Sequence, residues 1–314
     1  MAGTILARRW FPTKIQKKNE QTKILINKLH EPKGFSFYAT AEISTTKIKH
    51  FVKKLPILLF LVMVTIVGCQ LQVRPPEDDG GAENLVVDRF DRIESQYLTM
   101  ADYGALSQMR TDYPVQTRTL IEDVLQLGAA NDVDINTRFL VFFQDSTLQA
   151  LIAEVERQYE NMDDIIRQLD DAFKRLQDLL PQMEIPQVYT QIGSLDQSIV
   201  VGDGILGISL DKYLGADHPI YVRYGYTEQQ RQTMTRKFIV PDCLCFYLLS
   251  RYPLPEEQMD NDVMRHWHMA KIQCLVNQVL DSHFFNDELI EKLELFRSQH
   301  RQMFAEDFLE LDSI

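Results

Sequence analysis

The sequence predicts an α+β fold, predominantly α-helical, with a small antiparallel β-hairpin or sheet in the middle of the chain. Three observations carry that expectation. Leu148, Leu151, Val155, Tyr159, Met162, Ile166, Leu169, Phe173, Leu176 and Leu180 recur at three- and four-residue steps, the period of a helix with one apolar face. Between Ile185 and Tyr221 the short β-prone stretches IPQVYTQIG, SIVV and ILGISL replace that period. Helical patterning resumes near Tyr226 and runs on toward the C-terminus. The chain has 314 residues, 45% of them hydrophobic, which suffices for a sizeable core.

The first elements in chain order are not globular. Of the 33 Lys and Arg residues, 12 fall in residues 1–68 with 3 Asp and Glu; the other 21 face 42 acidic residues, so the first segment carries +9 and the remainder −21. Residues 1–50 form a basic N-terminal extension without clear period. It reads either as a start assigned too far upstream, with translation beginning nearer His50, or as a disordered basic arm. Residues 51–69 have the build of a signal peptide: Lys53-Lys54, the uncharged run Leu55–Gly68, then Cys69. Fourteen apolar residues fall short of the ~20 that span a bilayer but match a signal h-region of about 7–15. Ile66-Val67-Gly68-Cys69 resembles the lipobox of bacterial lipoproteins, in which the Cys is acylated and heads the mature chain; a buried core helix is the plainer alternative. Residues 70–82, with two prolines and two glycines, suit a flexible linker, and residues 83–314 form the globular domain.

Within the domain, DRFDRIESQYLTM and TRTLIEDVLQLG are predicted helices, with Gly128 placed to stop the second. The stripe after Asp145 predicts two packed helices, or one long helix broken near Asn161, ended by Pro181. Gly202-Asp203-Gly204 between SIVV and ILGISL suits a tight hairpin turn. Thr227 and Gln230 can form a capping box that opens a helix from about Glu228 to Arg251.

Several functional classes are argued against. A −21 body repels a phosphate backbone, so no nucleic-acid partner is expected. Gly202, Gly204 and Gly207 spell G-x-G-x-x-G, but a dinucleotide site needs its last glycine to open a helix, and Ile205, Leu206, Ile208 and Leu210 continue as a strand. Gly207-Ile208-Ser209-Leu210-Asp211 fails as a nucleophile elbow for want of its second glycine. No nucleotide and no other cofactor is expected. Besides Cys69, Cys243, Cys245 and Cys274 permit at most one disulfide and read as buried free thiols. Asp203, Asp211 and Asp217 lack the EF-hand spacing of a Ca²⁺ loop. His266 and His268 stand about 200° apart on a helix and cannot grip one ion; Asp262, one turn before His266, is expected to make a hydrogen-bonded pair or an N-terminal helix contact, and His283 and His300 are placed singly in later helices.

IPQVYTQIG, SIVVGDGILGISLDKYLGADHPIY and FIVPD, in that order behind a lipoprotein signal, resemble the central block of the gliding-motility lipoprotein GldB family of Bacteroidetes. The resemblance covers roughly residues 85–250 and is most specific at Leu210, Asp211, Tyr213, Leu214 and Gly215, followed by Asp217 and Tyr221. The family's usual Gly-Lys-x-Leu-Tyr helix is replaced downstream by MRHWHMAKIQCLVN. The resemblance implies a cell-envelope lipoprotein held to the inner or outer membrane by the lipid on Cys69, its domain in the periplasm or at the surface. Such a protein acts as a binding or accessory component for unidentified envelope proteins in gliding or associated secretion. The alternative is a degenerate zinc-metallopeptidase-like hydrolase, although no H-E-x-x-H is present in the sequence. Asp211, Tyr213, Leu214, Gly215, Asp217 and Tyr221 are read as structural: Asp211 to cap the turn that DKYLG begins, Tyr213 and Tyr221 to offer a ring to the core and a hydroxyl to a partner.

Overall fold

The computed structural model describes residues 85–202 and 204–313, together with the backbone of a two-residue strand, β1 (Ile5–Leu6). The basic extension, the signal segment with Cys69 and the linker lie outside the described residues apart from that strand, as does Asp203.

A short strand β2 (Val87–Asp88) leads into α1 (Phe90–Met100), which ends at Ala101 in the left-handed region. Asp102 caps α2 (Tyr103–Thr111) by accepting from Gly104 N at 2.7 Å. Pro114, placed where a helix has no use for an N–H, opens α3 (Pro114–Arg118), which continues as a π-turn over Thr119–Val124. Gly128 is therefore not the stop that the sequence suggested. The wider turn ends the helix at Val124, Gln126 already takes φ 53°, and Gly128 follows at φ 129°. After α4 (Ile135–Phe142), the apolar stripe divides into α5 (Ser146–Gln158), capped by Asp145, and α6 (Asp163–Leu179). Tyr159 and Met162 remain buried across the break, so one stripe serves two helices.

The sheet order is β1-β4-β5-β3-β2, with β3 (Gln187–Gln191), β4 (Ile199–Val201) and β5 (Ile205–Ser209). β4 and β5 form the expected antiparallel hairpin, closed by Gly202 N donating to Ile205 O at 3.0 Å with Gly204 at φ 73°. The sheet as a whole is mixed, however, because β3 pairs parallel to β5 and β2. The chain leaves β3, skips one position and returns as β4, and β5 then fills the vacant place. Residues 192–198 consequently arch over the end of β5.

A single long helix from Glu228 does not form. α7 (Pro219–Arg223) and α8 (Glu228–Thr233) are short, the latter opened by the Thr227–Gln230 capping box. Thr235 is then extended and bridges Leu214, a 3₁₀ turn covers Arg236–Phe238, and α9 (Ile239–Arg251) begins. Pro241 is the reason: it has no N–H to donate and its ring clashes with a helical carbonyl four residues earlier, so helix can start only just before it. α9 is buried nearly all round, packing against β4, α6 and α10 (Asp262–Leu280), while α1 covers β3. The domain closes with α11 (Glu288–Gln299) and α12 (Ala305–Leu309), held to α10 by Lys271 Nζ donating to Leu309 O (2.5 Å) and Leu311 O (2.6 Å). Among the described residues no helix is long and apolar enough to cross a membrane.

Two hairpin glycines differ in what they require. A Cβ on Gly204 meets nothing within 4 Å, so Gly204→Val costs only left-handed strain, about 1 kcal/mol. A Cβ on Gly207 sits 2.5 Å from the Tyr189 ring across the parallel pair, so Gly207→Ala should cost more, about 2 kcal/mol. Urea unfolding of both variants checks the order.

Candidate functional site

The most specific sequence block folds directly beneath the arch. At the end of β5 the chain makes a 3₁₀ turn, Leu210–Lys212, which brings the Asp211 carboxylate under residues 193–195. It accepts from Gly193 N at 2.7 Å and Leu195 N at 2.5 Å. Ser194 and Leu195 both lie in the left-handed region, φ 51° and 66°, so their backbone curls to point these N–H groups inward. Asp211 thus caps the arch rather than the turn that it opens. Burial pushes its pKa up to about 6, against the pull of these amides and of Lys212.

The neighbouring motif residues fasten the block to the helices. Tyr221 Oη donates to Asp211 O and accepts from Leu214 N, both at 2.8 Å. Tyr213 O accepts from Tyr159 Oη at the α5–α6 break, at 2.6 Å, and Leu214 O from Gln158 Nε2 at 3.1 Å. Gly215 takes φ 115° as its N donates to Met234 O at 3.0 Å. Asp217 stands apart: its carboxylate is fully exposed, 3.9 Å from Arg231, and shares nothing with buried Asp211.

Beside this block opens a cleft of about 430 Å³, walled by Asp196–Ser198, α8, the start of α9, Gln273 and Phe285. The motif supplies its inner face. Lys212 is buried there with Nζ donating to Tyr226 Oη at 2.8 Å and lying 4.4 Å from the centroid of that ring; Tyr226 Oη donates in turn to Leu195 O at 2.8 Å. Opposite, Tyr213 Oη donates to Asp242 Oδ2 at 2.8 Å. Burial pushes Asp242 up to about 7 and Lys212 down to about 8, each moderated by the other's charge. An ammonium and a carboxyl that both titrate near neutrality, in a concave site, are what a binding or proton-handling site presents. Lys212, Tyr226 and Asp242 were not singled out from the sequence as site residues. The first lies inside the LDKYLG block and the last inside IVPD, but nothing in their spacing shows that the two meet.

The histidines are dispersed. His268 Nε2 lies 2.8 Å from Tyr252 O, whereas His266 Nε2 is 3.8 Å from Asp287. Asp262 lies in the N-terminal turn of α10 and pairs there with Arg265 rather than with His266. His283 and His300 are not in helices as expected: His283 sits in the turn after α10, 3.0 Å from Glu294, and His300 caps the end of α11 against Phe296. Among the described residues no group of three His, Cys, Asp or Glu is placed to hold a metal ion. Cys243, Cys245 and Cys274 are buried and free, and burial raises the Cys274 thiol to about 12 and the other two well above their ordinary value.

Two variants test the block. Asp211→Ala leaves two buried N–H groups unpaired and should cost about 3 kcal/mol. Asp242, whose pKa burial raises to about 7 on folding, contributes fully below about pH 4 and loses that contribution as pH rises through 7. Asp242→Asn keeps an acceptor for Tyr213 and carries no charge. It should match the parent's stability near pH 4 and exceed it by roughly 1–3 kcal/mol at pH 8, measured by urea unfolding across that range.

Comparison with known families agrees with this block and its surroundings. The family model described as gliding motility protein GldB matches residues 75–291, which takes in strands β2–β5, the arch, the cleft and most of the helices. Comparison with curated proteins and with solved structures returns no match. With over half of its length matched, the chain belongs to the gliding motility protein GldB family.

Proposed function

We propose that this protein is an envelope lipoprotein, anchored through acyl chains on Cys69, that serves gliding motility or its associated secretion machinery by binding another envelope component. The family match carries the reading, since it embraces the whole folded centre of the chain. The order Lys53-Lys54, apolar Leu55–Gly68 and Cys69 supports the anchor, and the linker after it suits a tether that holds the domain clear of the membrane. A binding role fits what the motif does: Asp211, Tyr213 and Tyr221 direct their polar atoms at backbone or at Asp242 and hold one wall of the cleft in place. Among the described residues the imidazoles of His266 and His268 go to separate partners, which gives the hydrolase alternative no support.

The anchor is tested by growing cells that produce the parent or Cys69→Ala with labelled palmitate. The parent should take up label and sediment with membranes, and the variant should do neither. Equal labelling of the two overturns the lipoprotein reading.

A further inference from the structure

The cleft beside Lys212 contains a group that the fold does not use. Gln197 stands in its wall, 2% exposed, with neither Nε2 nor Oε1 hydrogen-bonded. Other polar groups of the cleft are engaged: Lys212 with Tyr226, Asp242 with Tyr213, Gln230 in its capping box. A buried polar group without a partner is costly to the folded state, and a carboxamide needs a donor and an acceptor side by side, which another amide supplies. The charges of the cleft point the same way. Lys212 opposes any cationic ligand, Asp196 and Asp242 any anionic one, so an uncharged ligand meets the least repulsion. Much of the remaining wall is apolar, with Met234, Phe246 and Phe285.

What distinguishes a peptide from a sugar here is the strand that the wall leads into. Asp196–Ser198 continue directly as β4, and the outer edge of β4 is paired antiparallel with β1, Ile5 opposite Val201 and Leu6 opposite Val200. That edge therefore accepts an extended chain. If the mature protein begins at Cys69, β1 is removed with the signal and the edge offers unpaired N–H and C=O groups to another strand.

We propose that the β4 edge and the adjoining cleft bind an uncharged, extended peptide segment of an envelope partner, which replaces β1 on the edge, places an apolar side chain between Phe246 and Phe285 and pairs an amide with Gln197. This rests on the lipoprotein reading for the removal of β1. The Gln197 contact belongs to the cleft and stands without it.

The processed lipoprotein, extracted in detergent, is titrated calorimetrically with acetyl-Thr-Val-Thr-Phe-Thr-Val-amide, its Leu and Val analogues at the Phe position, an analogue with Asp in place of each Thr, and chitotriose. The capped neutral peptides should bind, and the acidic analogue and the sugar should not. Gln197→Leu should weaken binding at least tenfold while raising the melting temperature, a combination that a purely structural glutamine does not give. Gln273→Ala, in the same cleft lining, is the second variant should Gln197→Leu fail to fold, and it should also weaken binding. The Cys69→Ala precursor, which retains β1, should bind more weakly than the processed chain. Absence of binding by every neutral peptide, equal binding by the wall variants, or binding of chitotriose in their place overturns the proposal. Palmitate labelling is read separately, so loss of the anchor and loss of the peptide site are distinguishable.

Discussion

The Asp211 carboxylate beneath the arch is the contact on which the centre of this domain depends. A sheet in which β5 slides between β3 and β4 needs a connection that crosses the end of β5, and the backbone of that crossing has lost its strand partners. Two consecutive left-handed residues, Ser194 and Leu195, turn the freed N–H groups toward one point, and the chain returning from β5 places a carboxylate there. The acid is buried at a cost to its ionisation, yet without it two amides are stranded in an apolar interior, the more expensive condition. The mixed sheet and the buried acid are thus consequences of one another.

From that point the rest of the block follows by attachment. Tyr221 bridges Asp211 O and Leu214 N, so the turn after β5 cannot swing away from α7. Tyr159 and Gln158, at the end of α5, hold the carbonyls of Tyr213 and Leu214, which makes the α5–α6 break a docking point and not merely a kink. Arg236 then reaches back across the same break with a paired contact to Asp164, its guanidinium 5.0 Å from the Tyr159 ring, and fixes the start of α9. Three helices and the hairpin are thereby referred to a single short stretch of chain, which is a physical reason for that stretch to carry the family's most specific signature.

The cleft is a by-product of this packing with chemistry of its own. Lys212 lies between Asp211, which accepts from the arch, and Tyr213, which donates to Asp242, so the 3₁₀ turn and the residue after it supply the arch with its carboxylate and the cleft with its inner face. Burial lowers the Lys212 pKa to about 8 and raises that of Asp242 to about 7. A wall that tolerates such groups beside an unpaired carboxamide has given up stability that an apolar wall of the same shape retains, and that concession is characteristic of surfaces shaped for a ligand.

The sequence by itself determined the helices with a one-sided apolar stripe, the position of the hairpin and the rejection of the nucleotide fingerprint, because these depend on period, turn residues and neighbours within a few positions. Leu148 through Leu180 had to present one face to a core, and Gly207 had to lie within a strand, whatever surrounded them. The parallel pairing of β3 with β5 was decided only in three dimensions, since strand period says which residues are buried but not which strand lies alongside. The same holds for the helix over 228–251, where the extended pairing of Thr235 with Leu214 joined Pro241 in breaking a pattern that looked continuous. Lys212, Gln197 and Asp242 meet in one cleft only because the arch, the turn after β5 and α9 converge there, and contacts between groups up to 45 residues apart leave no spacing for the sequence to display.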